Sequence, residues 1–179
     1  SCKVGGIITQ NVDGLHQKAG SRNVLELHGR LDRISCVSCE KKITRSDMDD
    51  LIKQLNPDLT KDQSVEFSPD GDAEVEVDSS FRVPNCSCGS HYKPDVVFFG
   101  EQIPKARVLK ASEAVEEAQA IVVAGSSLTV NSGLRLVKRG KELGLPIVIV
   151  NLGETKADAI ADVRLNVSTS QVLSELFDV

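Results

Sequence analysis

Residues 120–153 read AIVVAGSSLTVNSGLRLVKRGKELGLPIVIVNLG, and this stretch decides the fold. A short, wholly apolar run, Ala120–Ala124, breaks at the turn Gly125-Ser126-Ser127. A helical pattern follows from about Ser132 to Leu143, then a second apolar run, Ile147–Val150, ends in Asn151-Leu152-Gly153. Gly144 sits where a helix places its C′ glycine, and Pro146 prevents the helix from continuing. Outward from this unit the alternation persists. Val108, Ala111, Ala114, Val115 and Ala118 recur at helical spacing before it, and a strand over 163–167 and an amphipathic helix over 171–177 come after it. Strands that are apolar on both faces, alternating with helices, predict an α/β fold: a parallel sheet with helices on both faces.

In such sheets ligands meet the carboxyl ends of the strands. The turn Gly125–Ser127 is one candidate, because glycine lets the backbone approach a phosphate or ribose while serine hydroxyls and helix-terminal N–H groups donate to it. Packing alone also favours small residues at a strand-to-helix turn, and no full G-x-G-x-x-G is present. Asn151, about 25 residues on, stands where a nucleotide-binding fold puts its ribose reader, as an amide in place of the usual acid. Near the start, the β-branched run Gly6–Thr9 ends in Gln10, Asn11 and Asp13. His28, between Leu27 and Gly29, is an imidazole in an apolar setting, a candidate base or a structural residue. His16 reads as structural, and His91 as a neighbour of the second cysteine pair.

Cys36 and Cys39 form a C-x-x-C pair, and Cys86 and Cys88 a tighter C-x-C pair. Two closely spaced thiol pairs suit a tetrahedral Zn²⁺. The alternatives are buried thiols or disulfides, and disulfides need an oxidising compartment for which the chain carries no secretory signal. Residues 47–80 hold eleven acidic side chains against two basic ones, Lys53 and Lys61. This is read as an insertion: an amphipathic helix through Met48, Leu51, Ile52 and Leu55 stopped by Asn56-Pro57, then punctuated loop with a hairpin strand at Val75–Val77. A solvated face explains its charge, and a guide for basic peptides is the sharper reading. With net charge −5 and 40% apolar residues the chain is expected to be one globular unit with no direct nucleic-acid contact. No apolar run approaches the ~18–20 residues of a membrane span. The opening Ser1-Cys2-Lys3-Val4 enters a strand almost at once, which reads as a fragment whose N-terminal part is missing.

Taken in order, TQNVDGLHQKAGS (9–21), LELHG (25–29), the cysteine pairs, KPDVVFFGE (93–101), VAGSSLTVNSG (123–133) and IVIVN (147–151) resemble the sirtuin family over nearly the whole chain, most of all its mitochondrial class II, sirtuin-four type. The resemblance implies an NAD⁺-dependent protein-lysine deacylase. In that chemistry the acyl oxygen attacks the nicotinamide ribose, nicotinamide leaves, and O-acyl-ADP-ribose is released. It implies His28 as the general base that activates a ribose hydroxyl. It places Gln10, Asn11, Val12 and Asp13 at nicotinamide and its ribose, and Gly125, Ser126 and Ser127 at the adenosine ribose. Asn151, Leu152, Gly153 and Thr169 fall on the adenine side. Zn²⁺ would sit on Cys36, Cys39, Cys86 and Cys88. Val97, Phe98, Phe99 and Gly100 would pair with an extended acyl-lysine peptide. The implied organisation is a Rossmann-like NAD-binding lobe over 1–35 and 94–179, lacking its first βα unit and the glycine-rich pyrophosphate loop, interrupted by a zinc module over 36–93. The implied partners are acylated-lysine proteins in the mitochondrial matrix, with oligomeric state undetermined. Two other readings stay open: mono-ADP-ribosyl transfer from the same pocket, and a zinc- and nucleotide-binding interaction module without turnover.

Overall fold

The structure, a computed structural model, describes residues 4–57 and 80–177. The expected hairpin strand at Val75–Val77 and most of the acidic stretch lie outside the described residues. Contacts divide the chain into two compact units, Ser1–Gly29 with Val97–Val179, and Arg30–Val96. The second unit contains both cysteine pairs.

In the first unit, β1 (Ile7–Thr9) leads through a short helix, α1 (Leu15–Lys18), to β2 (Val24–Glu26), which pairs with β1 in parallel. After α3 (Lys105–Glu116) come β6 (Ile121–Ala124), α4 (Asn131–Glu142), β7 (Ile147–Val150), β8 (Val163–Leu165) and α5 (Thr169–Phe177). Strands β6, β7 and β8 form a parallel sheet in that order. Ile147 and Ile149 are fully buried beneath Leu134 and Val137 of α4, with Val123, Leu128 and Ala157 completing the core. Each buried branched side chain contributes about 1.5–3 kcal/mol relative to exposure. On the opposite face of the sheet Val122, Val163 and Leu165 are exposed among the described residues.

Helix α4 ends as its sequence requires. Leu145 N–H donates to the Gly140 carbonyl at 3.0 Å and Gly144 N–H to the Lys141 carbonyl at 3.0 Å, with Gly144 at φ +75°, which is a Schellman closure. Two boundaries fall elsewhere than the pattern predicts. Strand β8 stops at Leu165, short of Val167, and the side-chain Oδ1 of the next residue, Asn166, accepts the Gly153 N–H at 2.9 Å. Helix α5 correspondingly begins at Thr169, ahead of residue 171.

The second unit is a three-stranded sheet in the order β4-β3-β5, made of β3 (Gly29–Cys36), β4 (Lys42–Thr44) and β5 (Tyr92–Val96). Helix α2 (Arg45–Leu55) follows β4 directly. Its start is a capping box: Thr44 Oγ1 accepts the Asp47 N–H at 3.1 Å while Asp47 accepts the Thr44 N–H at 2.9 Å. Asn56 then closes the base of the acidic insertion, donating to the Arg82 carbonyl at 2.9 Å and accepting the Arg82 N–H at 2.7 Å.

Candidate functional site

The loop after β1 and the turn after β6 converge on one imidazole. His28 Nδ1 lies 3.1 Å from the Gln10 main-chain oxygen, and Nε2 lies 3.0 Å from Ser132 Oγ. A carbonyl only accepts, so in the neutral ring Nδ1 carries the proton and Nε2 presents its lone pair. Ser132 therefore donates to Nε2. The remaining polarities follow without conflict. Gln10 Nε2 donates to Ser132 Oγ at 3.4 Å, Ser126 Oγ donates to Gln10 Oε1 at 3.2 Å, and Leu128 N–H donates to Ser126 Oγ at 3.2 Å. All four side chains are half-buried, enough to shield the network from bulk water on one side. Gly133 leaves room for it: a Cβ there would come within 3.1 Å of Gln10 Oε1.

Asn11 and Asp13 continue the same loop and are exposed. Thr9 Oγ1 accepts the Asn11 N–H at 3.1 Å. Asp13 Oδ1 accepts the Leu15 N–H at 2.9 Å, an Asx turn that fixes the loop as it enters α1, with Val12 half-buried between them.

At the end of β6, Gly125 takes φ +63° while its N–H still donates to the Val150 carbonyl at 2.9 Å. A Cβ at Gly125 would touch Thr169 Cγ2 at 3.6 Å, which brings the first residue of α5 to the turn. Ser127 is held from both sides, its hydroxyl 3.1 Å from Thr129 Oγ1 and its carbonyl accepting the Lys156 N–H at 3.0 Å. Asn151 is buried, and its amide is spent locally, Nδ2 donating to the carbonyls of Leu152 at 2.9 Å and Gly153 at 3.2 Å. Arg164 reinforces this loop by donating to the carbonyls of Asn151 and Gly153, and it is held in turn by Asp158 at 3.0 Å. Asp158 sits below the ordinary carboxylate range, chiefly because the Thr155 hydroxyl and N–H donate to it, with Arg164 adding to the effect.

In the other unit the four cysteine Sγ atoms lie within 4.8 Å of one another, with Cys36–Cys88 at 3.5 Å and Cys39–Cys86 at 3.6 Å. These are thiols, not disulfides. A tetrahedral zinc with Zn–S bonds of about 2.3 Å needs sulfurs about 3.8 Å apart, so the set fits. The tight C-x-C pair reaches this geometry because Gly89, at φ +86°, turns the chain directly after Cys88, with its N–H on the Cys86 carbonyl at 2.8 Å. Backbone N–H groups point at the sulfurs. That of Cys88 pulls the Cys86 thiol down to about 6, and those of Cys39 and Ser38 lower Cys36. The Lys41 N–H also lowers Cys39, but the neighbouring thiols Cys36, Cys86 and Cys88 outweigh it and push Cys39 up to about 12. A divalent cation would relieve that crowding by stabilising all four thiolates together. His91 is bonded to Asn85 Oδ1 at 2.9 Å and stays outside the set.

Val97–Gly100 do not continue β5. Val97 N–H donates to the His28 carbonyl at 2.9 Å, Glu101 N–H donates to the Phe98 carbonyl at 3.0 Å, and Gly100 at φ +86° reverses the chain. Phe99 is fully exposed, so the run is not a core strand.

The structure thus joins Gln10, His28 and Ser126, and brings Thr169 to Gly125. Sequence reasoning missed Ser132 and Gly133. Their signal was a serine-glycine step in the first turn of the helix that follows the Gly125–Ser127 turn.

A sequence model of the Sir2 family matches residues 2–132. Among similar proteins, the "NAD-dependent protein deacylase Sirt4" of Drosophila melanogaster is 44% identical over 179 residues, covering 98% of this chain and 57% of the relative. An NAD-dependent protein deacetylase of Bordetella bronchiseptica is 44% identical over 173 residues, covering 95% of the chain and 63% of the relative. A solved structure described as Sir2 with a p53 peptide and NAD⁺ superposes with TM-score 0.72 at 32% identity, covering 98% of this chain and 62% of that one. The chain therefore spans about three fifths of the length of the relatives it matches.

Proposed function

The chain belongs to the Sir2 family, and from that premise we propose that it forms the catalytic part of an NAD⁺-dependent protein-lysine deacylase with a structural zinc. The observation that carries the reading is His28, whose tautomer is set by the Gln10 carbonyl so that Nε2 is the basic atom, at the carboxyl edge of the strands. NAD⁺ supplies the electrophilic ribose carbon and a leaving group. The residues of this chain do the rest. The Gln10–Asp13 loop orients the nicotinamide ribose, and the Gly125–Ser127 turn with Asn151–Gly153 and Thr169 receives the adenosine side. His28 Nε2 takes the proton of a ribose hydroxyl so that its oxygen can attack the acyl-derived carbon. Cys36, Cys39, Cys86 and Cys88 hold zinc by thiolate, with no fourth position open for chemistry.

The Val97–Gly100 segment, exposed from Phe98 onward, offers main-chain groups and the Phe98 and Phe99 rings to an extended acyl-lysine peptide. Location in the mitochondrial matrix belongs to the same reading. Acyl transfer is favoured over ADP-ribosyl transfer to a protein nucleophile because only the former requires a base aimed at a ribose hydroxyl. The test is product mass spectrometry on a panel of acyl-lysine peptides with NAD⁺. Nicotinamide and O-acyl-ADP-ribose appearing in equal amounts supports the proposal, whereas ADP-ribosylated protein with the acyl group retained overturns it.

A further inference from the structure

Nε2 of a neutral imidazole has a single in-plane lone pair, and here Ser132 Oγ stands on it at 3.0 Å. The serine oxygen also receives the Gln10 side-chain amide at 3.4 Å, while the Gln10 main-chain oxygen holds Nδ1 at 3.1 Å. One residue, Gln10, thus fixes one edge of the ring directly and the other through Ser132. From this closed circuit we infer that Ser132 is a positioning residue for the base: its hydroxyl holds His28 in the Nδ1-protonated tautomer and rotamer that leave Nε2 able to accept.

Without Ser132 the ring is held by the Gln10 carbonyl alone, and an imidazole free to turn away from that single bond is free to take either tautomer. With Ser132 in place the ring stays facing the Gln10 carbonyl, which the unwanted tautomer would meet with a bare lone pair. A hydroxyl proton rotates about its Cβ–Oγ bond without moving the oxygen. Ser132 can therefore give up Nε2 to an incoming ribose hydroxyl while keeping Gln10 in place. Its position at the start of α4, two residues from the preceding loop, anchors the oxygen on a regular element.

The structural arm of the test does not depend on the deacylase reading; the kinetic arm does. Nitrogen-15 NMR of histidine-labelled protein, with His28 assigned by its absence in His28→Ala, should show the Nδ1–H tautomer in the wild type at a pH where the ring is neutral. Ser132→Ala should move it to a mixture, and Ser132→Thr should restore it. In single turnovers with NAD⁺ and an acyl-lysine peptide, Ser132→Ala should slow O-acyl-ADP-ribose formation by about tenfold, the lower end of what a mispositioned base costs. Nicotinamide exchange should fall less, and threonine should recover the rate. An unchanged tautomer in Ser132→Ala overturns the inference, as does a rate loss that threonine fails to recover. If Ser132→Ala does not fold, Ser132→Cys against Ser132→Thr makes the same contrast, because a thiol is a weak donor. A protein with no deacylase activity but with the tautomer shift would refute the function and leave the role of Ser132 standing.

Discussion

Replacing Asn151 by Asp tests whether its side chain shapes the loop or reads the ligand. The residue is 8% exposed, and Nδ2 donates to two carbonyls, Leu152 at 2.9 Å and Gly153 at 3.2 Å. Aspartate would set a carboxylate oxygen against both. Two lost hydrogen bonds cost about 1 kcal/mol each, and a poorly solvated carboxylate facing carbonyl oxygens about 1–3 more. Arg164, donating to the Asn151 carbonyl at 2.9 Å, offsets part of this. The expected net cost is roughly 2–4 kcal/mol, or on the order of 5–15 °C in thermal midpoint for a chain of this size. Asn151→Ala loses the same bonds without the repulsion. Leu152 is 70% exposed, so water can reach that carbonyl, and about 1–2 kcal/mol is expected. Thermal melts should therefore rank Asp below Ala at pH 7. The gap should narrow as pH falls through the carboxyl titration, because a protonated Asp can donate again. Equal midpoints for Asp and Ala at pH 7, or an Asp variant as stable as wild type, would refute this account of the loop.

Removing the base with His28→Ala should cut deacylation by about 10²–10⁴-fold while NAD⁺ binding, measured by calorimetry, changes little; comparable losses in both would make His28 structural. For Gly133→Ala, the new Cβ presses on the Gln10 amide at 3.1 Å while the helix gains about 1 kcal/mol from losing glycine, so turnover should fall with the melting midpoint held or raised. Metal analysis should find one zinc per chain, and Cys86→Ser should lose metal and lower the midpoint; full stability without zinc would sink the clip. Asp158 and Asp162 titrate below their ordinary range, the first chiefly through Thr155 and the second chiefly through Lys141 and the Ile147 N–H. Their stabilisation is present above the unfolded carboxylate value of about 3.9 and is lost as pH falls through the folded values, so Asp158→Asn should flatten the acid side of a midpoint-against-pH curve.

How far the sequence carried depended on whether a residue's role was local. The cysteine pairs were legible because chelation demands closely spaced thiols whatever surrounds them. The unit built on residues 120–153 was legible because apolar strands and a capped helix are written in consecutive letters. Ser132 was not, since a serine in the first turn of a helix satisfies an ordinary local preference. Its bond to His28 spans 104 residues and exists only once α4 and the loop after β1 meet. Asn151 was legible as a strand-end residue, but the bonds of its side-chain amide to the next two carbonyls were not, since they depend on how the loop folds back. The conformation of Val97–Gly100 was not legible, because it departs from the strand through three backbone features, the Val97 bond to His28, the Phe98–Glu101 turn and the positive φ of Gly100.

The site is assembled from the events that terminate strands. Strand β1 ends where the Gln10 carbonyl turns to His28, β6 where Gly125 adopts a positive φ, β7 where Asn151 folds its amide onto the next two carbonyls, and β8 where Asn166 accepts the Gly153 N–H. Three of the four engage a main-chain group with a side chain, the Gln10 carbonyl, the Leu152 and Gly153 carbonyls, and the Gly153 N–H, and these bonds help fix the loops that follow. Stability and ligand geometry therefore share the same bonds along this edge. A substitution there has to be read on two axes, activity against folding free energy. The informative variants are those in which the axes separate: Gly133→Ala, which crowds Gln10 while favouring its own helix, and Ser132→Thr, which changes volume while keeping the hydroxyl.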